Sequence, residues 1–146
     1  MKKLYSVTLA AALTLSTVGC ATASPSVETA AKLDTTKVCD VKANGINKVL
    51  DTAEQYNAIA KKYGNEFKRL GMTTTQYIDE TRKALKANQK MVKLLNKKGK
   101  VDKKLPPVTV EYAAHRACVF AIAALQLKAE GETTWRAAVP GDGFKY

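Results

Sequence analysis

Few side chains in this 146-residue sequence are equipped for chemistry: one histidine, three cysteines and a block of lysines. Glu111 lies four residues before His115 and Cys118 three residues after it, so on a helix all three share a face. That spacing suits a carboxylate–imidazole acid/base pair or part of a metal site. Zinc needs at least three well-placed protein ligands, and no second Cys/His cluster accompanies this one. G-x-S-x-G, H-E-x-x-H and a glycine-rich phosphate loop do not occur in the sequence. The best-fitting reading is a structural histidine on the edge of a buried helix. No catalytic residue, metal or cofactor is expected, and a small enzyme using Glu111 and His115 is the minor alternative.

The first cysteine, Cys20, stands at the end of a different pattern. Met1-Lys2-Lys3 is a cationic start, and Leu4–Val18 is uncharged and rich in Leu, Val and Ala. Small residues follow, which is the order of a secretion signal. The apolar stretch falls short of the roughly 20 residues that a membrane-spanning helix needs. Two cleavage patterns overlap here. Ala21-Thr22-Ala23 before Ser24 fits ordinary small-x-small cleavage. Thr17-Val18-Gly19-Cys20 resembles the lipobox of bacterial prolipoproteins, with Gly19 and Val18 in the usual places before the cysteine and Thr17 where Leu is usual. The resemblance covers residues 1–20 only. It implies that the Cys20 thiol is diacylglycerated, that cleavage falls before Cys20, and that the mature chain is lipid-anchored to a membrane. Ala21 stands where many inner-membrane lipoproteins of Gram-negative envelopes carry Asp. By the same resemblance the expected place is the outer membrane, facing the periplasm.

Either cut leaves Cys39 and Cys118 as an even pair. Exported chains meet oxidising conditions, so the pair is expected to form a disulfide. Closing a loop of that length is worth on the order of 4 kcal/mol in the chain-entropy picture. Two separately buried thiols are the alternative.

The chain carries 24 basic and 13 acidic side chains, and removing residues 1–19 takes away only Lys2 and Lys3 among them. The excess is concentrated: residues 82–104 hold ten basic residues and one acid, Asp102. Lys83, Lys86, Lys90, Lys93 and Lys97 recur at 3-4-3-4, the spacing of a stripe along one helix. Lys83, Lys90 and Lys93 each precede an apolar position by two residues, about 200° around a helix, and so point away from the core. Lys98, Lys100, Lys103 and Lys104 continue the patch into a loop. A solvated outer face is the bland explanation of such charge. Solvated faces usually mix signs, however, and like charges at i,i+4 slightly oppose folding. Lys83, Lys86, Lys90, Lys93, Lys97, Lys100 and Lys104 therefore form the candidate surface for an anionic partner: lipid head groups, cell-wall polymer or an acidic protein. Nucleic acid is not expected, because the chain is exported and no aromatics interleave the lysines.

The elements that would carry these residues read as helices throughout. Residues 20–36 are small and polar with Pro25, and suit a lipidated cysteine followed by a flexible tether. Residues 37–146 suit one helical domain. Its first helix is expected from about Val38–Asp40 to Leu70. The stripe Ile46, Val49, Ala53, Tyr56, Ala60, Tyr63, Phe67 and Leu70 supports it, with Gly71 as its cap. Gly64 falls inside this pattern and allows a kink or two shorter helices. Thr73 and Gln76 form a capping box, with Met72 and Tyr77 as its hydrophobic staple. A second helix is expected from there to Lys98, with the stripe Ile78, Thr81, Leu85, Asn88, Val92 and Leu95. Pro106-Pro107 leads into a third, from Val108 to Glu130, apolar on nearly every face and hence central. Gly131 would end it, and Glu132–Ala138 would add a short turn anchored by Trp135. The expected fold is all-α, a small antiparallel bundle of about three long helices with one disulfide.

The expected function is binding rather than catalysis: an anchored envelope lipoprotein acting as a periplasmic inhibitor, immunity protein or adaptor for a protein partner. The alternative is an envelope-associating protein whose lysine-rich face takes anionic lipid or cell-wall polymer.

Overall fold

The computed structural model describes residues 24–138 except Leu70. Along the chain run α1 (Val27–Ala31), α2 (Thr35–Val38), α3 (Val41–Asn44), α4 (Ile46–Lys62), β1 (Lys68–Arg69), β2 (Met72–Thr73), α5 (Thr74–Lys86), β3 (Met91–Val92), β4 (Val108–Thr109) and α6 (Val110–Ala138). The antiparallel pairs are β1 with β2 and β3 with β4. The fold is therefore mixed, with two small sheets set among helices, and the expected bundle of three long helices is overturned. Only the last of the three expected helices is present at full length.

The first expected helix divides at residues whose backbone or side chain favours a break. Asp40 is an N-cap at its start, and Asp34 another ahead of it, their Oδ1 atoms accepting from Lys42 N at 2.9 Å and Thr36 N at 3.0 Å. Gly45, at φ 79° and ψ 146°, adopts a conformation that side-chain-bearing residues avoid, and α4 starts after it. At the far end Gly64, φ 71°, takes the left-handed position after the helix. Asn65 N donates to Ala60 O at 2.8 Å and Gly64 N to Lys61 O at 3.0 Å, a Schellman closure. The helix thus stops eight residues short of Leu70.

The second expected helix starts as its sequence indicates. Thr73 Oγ1 accepts from Gln76 N at 3.3 Å, Gln76 Oε1 accepts from Thr73 N at 2.8 Å, and Met72 and Tyr77 are buried on either side. It ends early, at Lys86. Asn88 takes φ 52°, Asn88 N donates to Leu85 O at 3.0 Å, and Gln89 N donates to Ala84 O at 2.8 Å. This is a second Schellman closure, and the chain beyond it is extended.

The core gathers around α6. Its Ala113, Ala114, Ala117, Cys118, Ala121, Ile122 and Leu125 are buried against α4, α5 and α1. The alanines on this face let backbones approach closely. Gly131 does not end α6, and residues 132–138 continue it instead of forming a separate turn. The side chain of Trp135 lies outside the described residues. The three polar interruptions each have a structural task. His115 Nδ1 donates to Cys39 O at 2.9 Å, and Gln126 Nε2 donates to Ala30 O at 3.2 Å and Leu33 O at 2.9 Å. The Arg116 guanidinium lies 4.6 Å from the centre of the Phe120 ring, which stacks on Phe67 at 4.6 Å.

The disulfide Cys39–Cys118 is present, both residues fully buried, with a Cα–Cα distance of 5.6 Å. It ties the segment between α2 and α3 to the middle of α6. Part of the expected tether is also folded. In α1, Ser26 and Thr29 form a reciprocal capping box, and Val27 and Ala30 are buried. The folded body therefore begins at about Ser26 instead of residue 37. Residues 1–23, with Cys20 and both cleavage patterns, lie outside the described residues. Among the described residues no helix is long and apolar enough to cross a membrane.

Candidate functional site

The lysine block does not form a stripe on one helix. Lys83 and Lys86 lie in the last turn of α5, and the rest of the block lies on a ribbon that leaves the helix at Asn88 and returns to α6. The ribbon is closed at its base by the pairs Met91–Thr109 and Val92–Val108 and by Val110 N donating to Lys90 O at 3.1 Å. Further out, Leu95 bridges to Val101, and Asp102 N donates to Leu94 O at 2.8 Å. At the tip Asn96 N donates to Lys100 O at 2.7 Å, while Asn96 Oδ1 accepts from Lys98 N at 2.9 Å and Lys100 N at 3.2 Å. Asp102, the one acid of the block, spends an oxygen on Lys104 N at 2.9 Å. Backbone groups that would otherwise need water are thus satisfied within the ribbon, which gives the tip a defined shape.

The ribbon's inner side is apolar: Val92, Leu94 and Leu95 are buried. Its outer side carries Lys90, Lys93, Lys97, Lys98, Lys100, Lys103 and Lys104, all exposed. A second hairpin, β1–β2, is pressed against it. Leu95 N donates to Met72 Sδ at 3.0 Å, and a Cβ placed on Gly71 would lie 2.9 Å from Lys97 N. This contact brings the hairpin that carries exposed Lys68 and Arg69 against the tip. Neither residue stands out in the sequence, because twenty-four positions separate Arg69 from Lys93 and only the docking of Gly71 unites them. The basic pair Lys68-Arg69, one residue away from Gly71, was the available signal.

The charges of the block are not equivalent. Arg82 bridges Asp51 at 2.8 Å and Glu54 at 2.7 Å; the hydrogen bond that the guanidinium donates to Asp51 outweighs partial burial and raises its pKa further. Lys83 pairs with Glu80 at 2.6 Å, a hydrogen bond that raises the Lys83 pKa. Lys83 is thus neutralised locally and drops out of the candidate surface. Lys86, Lys90, Lys93, Lys97, Lys100 and Lys104, with Lys98 and Lys103, have no carboxylate oxygen within 4.0 Å among the described residues.

The Glu111–His115–Cys118 constellation is not assembled as a site. Cys118 is consumed by the disulfide, His115 Nδ1 is committed to the Cys39 carbonyl, and Glu111 is exposed. Among the described residues no three His, Cys, Asp or Glu side chains cluster closely enough to hold a metal ion.

One polar node escapes a reading of the sequence. Glu66 Oε1 accepts from Thr75 N at 2.8 Å, Thr75 Oγ1 at 2.5 Å and Asn57 Nδ2 at 3.2 Å. Partial burial works against its charge, but these bonds, with Lys61 nearby, prevail and hold the pKa below the ordinary carboxylate value. The node ties the loop after α4 to the first turn of α5 and borders a cavity of about 220 Å³ lined by Glu54, Asn57, Lys61, Thr75 and Asp79. Its geometry is that of a helix cap contributed from a neighbouring loop.

Comparison of the chain with protein-family models, with curated proteins and with solved structures finds no match.

Proposed function

We propose that this protein is an envelope lipoprotein, anchored through Cys20, that works as a non-catalytic binding module with the lysine ribbon as its binding surface. The observation that carries the reading is the set of eight lysines from Lys86, at the end of α5, through the seven of the ribbon to Lys104, all exposed and without a carboxylate partner among the described residues. Holding like charges together opposes folding, and an anionic partner would relieve that cost. One form of partner is an acidic protein, which would make the chain a periplasmic inhibitor, immunity protein or adaptor. The other is anionic lipid or cell-wall polymer. The ribbon favours this second form, because its lysines are all exposed and stand together without a carboxylate partner among the described residues.

The test replaces Lys86, Lys90 and Lys93 by Gln, which keeps long side chains and removes three charges. Retention on an immobilised polyanion should fall, and the wild type should show the steeper salt dependence. Circular dichroism and melting should show an unchanged fold. Equal retention of a well-folded triple variant at low and physiological salt would mean that the lysines only solvate the ribbon.

A further inference from the structure

The outward face of α6 continues the lysine ribbon with a row of apolar side chains. Tyr112, Val119, Ala123 and Leu127 recur at seven, four and four residues, so they lie on one side of the helix. Tyr112 is 49% exposed and Leu127 59%, the two exposed large hydrophobics of this helix among the described residues; Val119 and Ala123 are half-buried between them. From Tyr112 to Leu127 the row is about 22 Å long at 1.5 Å per residue. Its one interruption, Arg116, folds its guanidinium over the Phe120 and Tyr112 rings, 4.6 and 5.7 Å from their centres. The row abuts the ribbon at its base, where Thr109 Oγ1 accepts from Tyr112 N at 3.2 Å and Thr109 pairs with Met91, itself 42% exposed.

We infer that the lysine ribbon and this row form one membrane-docking surface, and that the folded body lies along an anionic bilayer instead of standing away from it. The inference deepens the binding-module reading and rests on it. Cations bordering an exposed apolar strip are the composition of elements that settle at the head-group boundary, where apolar side chains enter and lysines meet phosphate. The tether supplies the second argument. Ser24 is held to α1 through Thr29 Oγ1, and α1 is clamped to α6 at Gln126. Residues 20–24 span at most about 14 Å when extended, so an anchor at Cys20 would keep this end of the body close to its bilayer. The ribbon base at Val110 lies about 24 Å from Gln126 along α6. Contact of the ribbon base with that same bilayer then makes α6 lie along it, tilted by no more than roughly 35°, rather than stand upright on it. A lipid anchor combined with a basic patch then gives two attachments where one chain alone holds weakly.

The test uses the chain from Ser24 onward, which contains the whole core and the disulfide and lacks Cys20, so that lipid plays no part. It is sedimented with vesicles of phosphatidylcholine alone and of phosphatidylcholine with phosphatidylglycerol in equal parts, and titrated in parallel against soluble polyphosphate. Binding should require phosphatidylglycerol. Replacing Lys97, Lys98 and Lys100 by Gln should weaken it on the order of 100-fold at low salt, from roughly fivefold per basic residue near an anionic surface. Replacing Tyr112 and Leu127 by Ser should weaken vesicle binding about tenfold or more while leaving polyphosphate binding unchanged. Polyphosphate binding without vesicle binding, or vesicle binding indifferent to the serine pair, overturns the bilayer inference and leaves the anionic-partner reading standing. Binding to neither probe overturns both.

Discussion

Gly71 is where the β1–β2 hairpin meets the lysine ribbon, and its replacement by Ala separates backbone strain from contact. At φ 87° the residue lies in the left-handed region. A Cβ there meets Lys97 N at 2.9 Å and the Asn96 carbonyl carbon at 3.2 Å. Both are backbone atoms of a hydrogen-bonded tip and cannot swing aside as a side-chain end does. Gly64, φ 71°, has nothing within 4 Å of its Cβ position, so Gly64→Ala feels the strain and no collision. The left-handed conformation costs Ala roughly 1–2 kcal/mol at either site. The collision at Gly71 adds about 1–3 kcal/mol, the usual cost of forcing a methyl into a packed contact. Urea unfolding with matched m-values should therefore show Gly71→Ala less stable than Gly64→Ala by about 1–3 kcal/mol. Hydrogen exchange should speed up at Leu95 N, which donates to Met72 Sδ beside the displaced contact. Equal losses for the two variants, with Leu95 protection unchanged, would refute the seating of the hairpin on the ribbon.

Replacing Cys39 and Cys118 together by Ala opens a link across 79 residues, which should cost about 4 kcal/mol and lower the melting temperature on the order of 15 °C; a change of only a degree or two would count against the bridge. Glu66 has a folded-state pKa below its ordinary 4.5, so its ionised form stabilises the fold above that pH and the benefit disappears as pH falls through the folded value. Melting curves should accordingly place Glu66→Gln below the wild type at neutral pH and bring the two together in acid; a constant gap across that range would contradict the cap geometry. Cys20→Ala should move the protein out of the membrane fraction, and intact mass should show a diacylglyceryl group on the wild-type N-terminus, whereas an unmodified chain beginning at Ser24 would defeat the anchoring proposal.

Local signals with a side-chain mechanism were legible, and signals resting on spacing held only as far as the backbone kept one conformation. The Thr73–Gln76 capping box announced the start of α5, because both reciprocal bonds are encoded within four residues. The Cys39–Cys118 bridge followed from export chemistry and an even pair. The apolar run after Val110 gave the central helix, because a helix without a polar face must be covered on most sides. Within α4 the positions Val49, Ala53, Tyr56 and Ala60 are buried as their spacing requires. Beyond α4 the same 3-4 spacing runs on through Tyr63, which is exposed, and Phe67, which reaches the core from a loop and stacks on Phe120. Gly64 outweighed the pattern because its left-handed closure satisfies carbonyls that the helix would otherwise leave open.

The lysine block shows why spacing fails where the backbone changes state. On a helix, Lys83, Lys86, Lys90, Lys93 and Lys97 would form one straight stripe, and Asn88 would occupy a core-facing position. A buried Asn needs partners for both its amide and its carbonyl, which a stripe of Leu and Val does not supply. Asn tolerates the left-handed conformation better than any residue near it, so the chain gains more by turning at Asn88 than by burying it. After the turn the alternation Met91 out, Val92 in, Lys93 out, Leu94 in has the period of an extended strand. The same lysines satisfy both periods, since outward positions in either conformation are the ones left to charge. The ribbon changes what they can do. A helical stripe would spread them along α5 beside Arg82, Asp51 and Glu54, where carboxylates are at hand. The ribbon instead carries them past those carboxylates to a tip braced by Asn96, Asp102 and Gly71, where no described acid lies within ion-pair distance. Asn88 is thus the residue that converts a charged helix face into a projecting cationic surface. Its replacement by Leu, which favours continued helix, tests the fold and the proposed binding together: helix content should rise, and retention on polyanion should change with it.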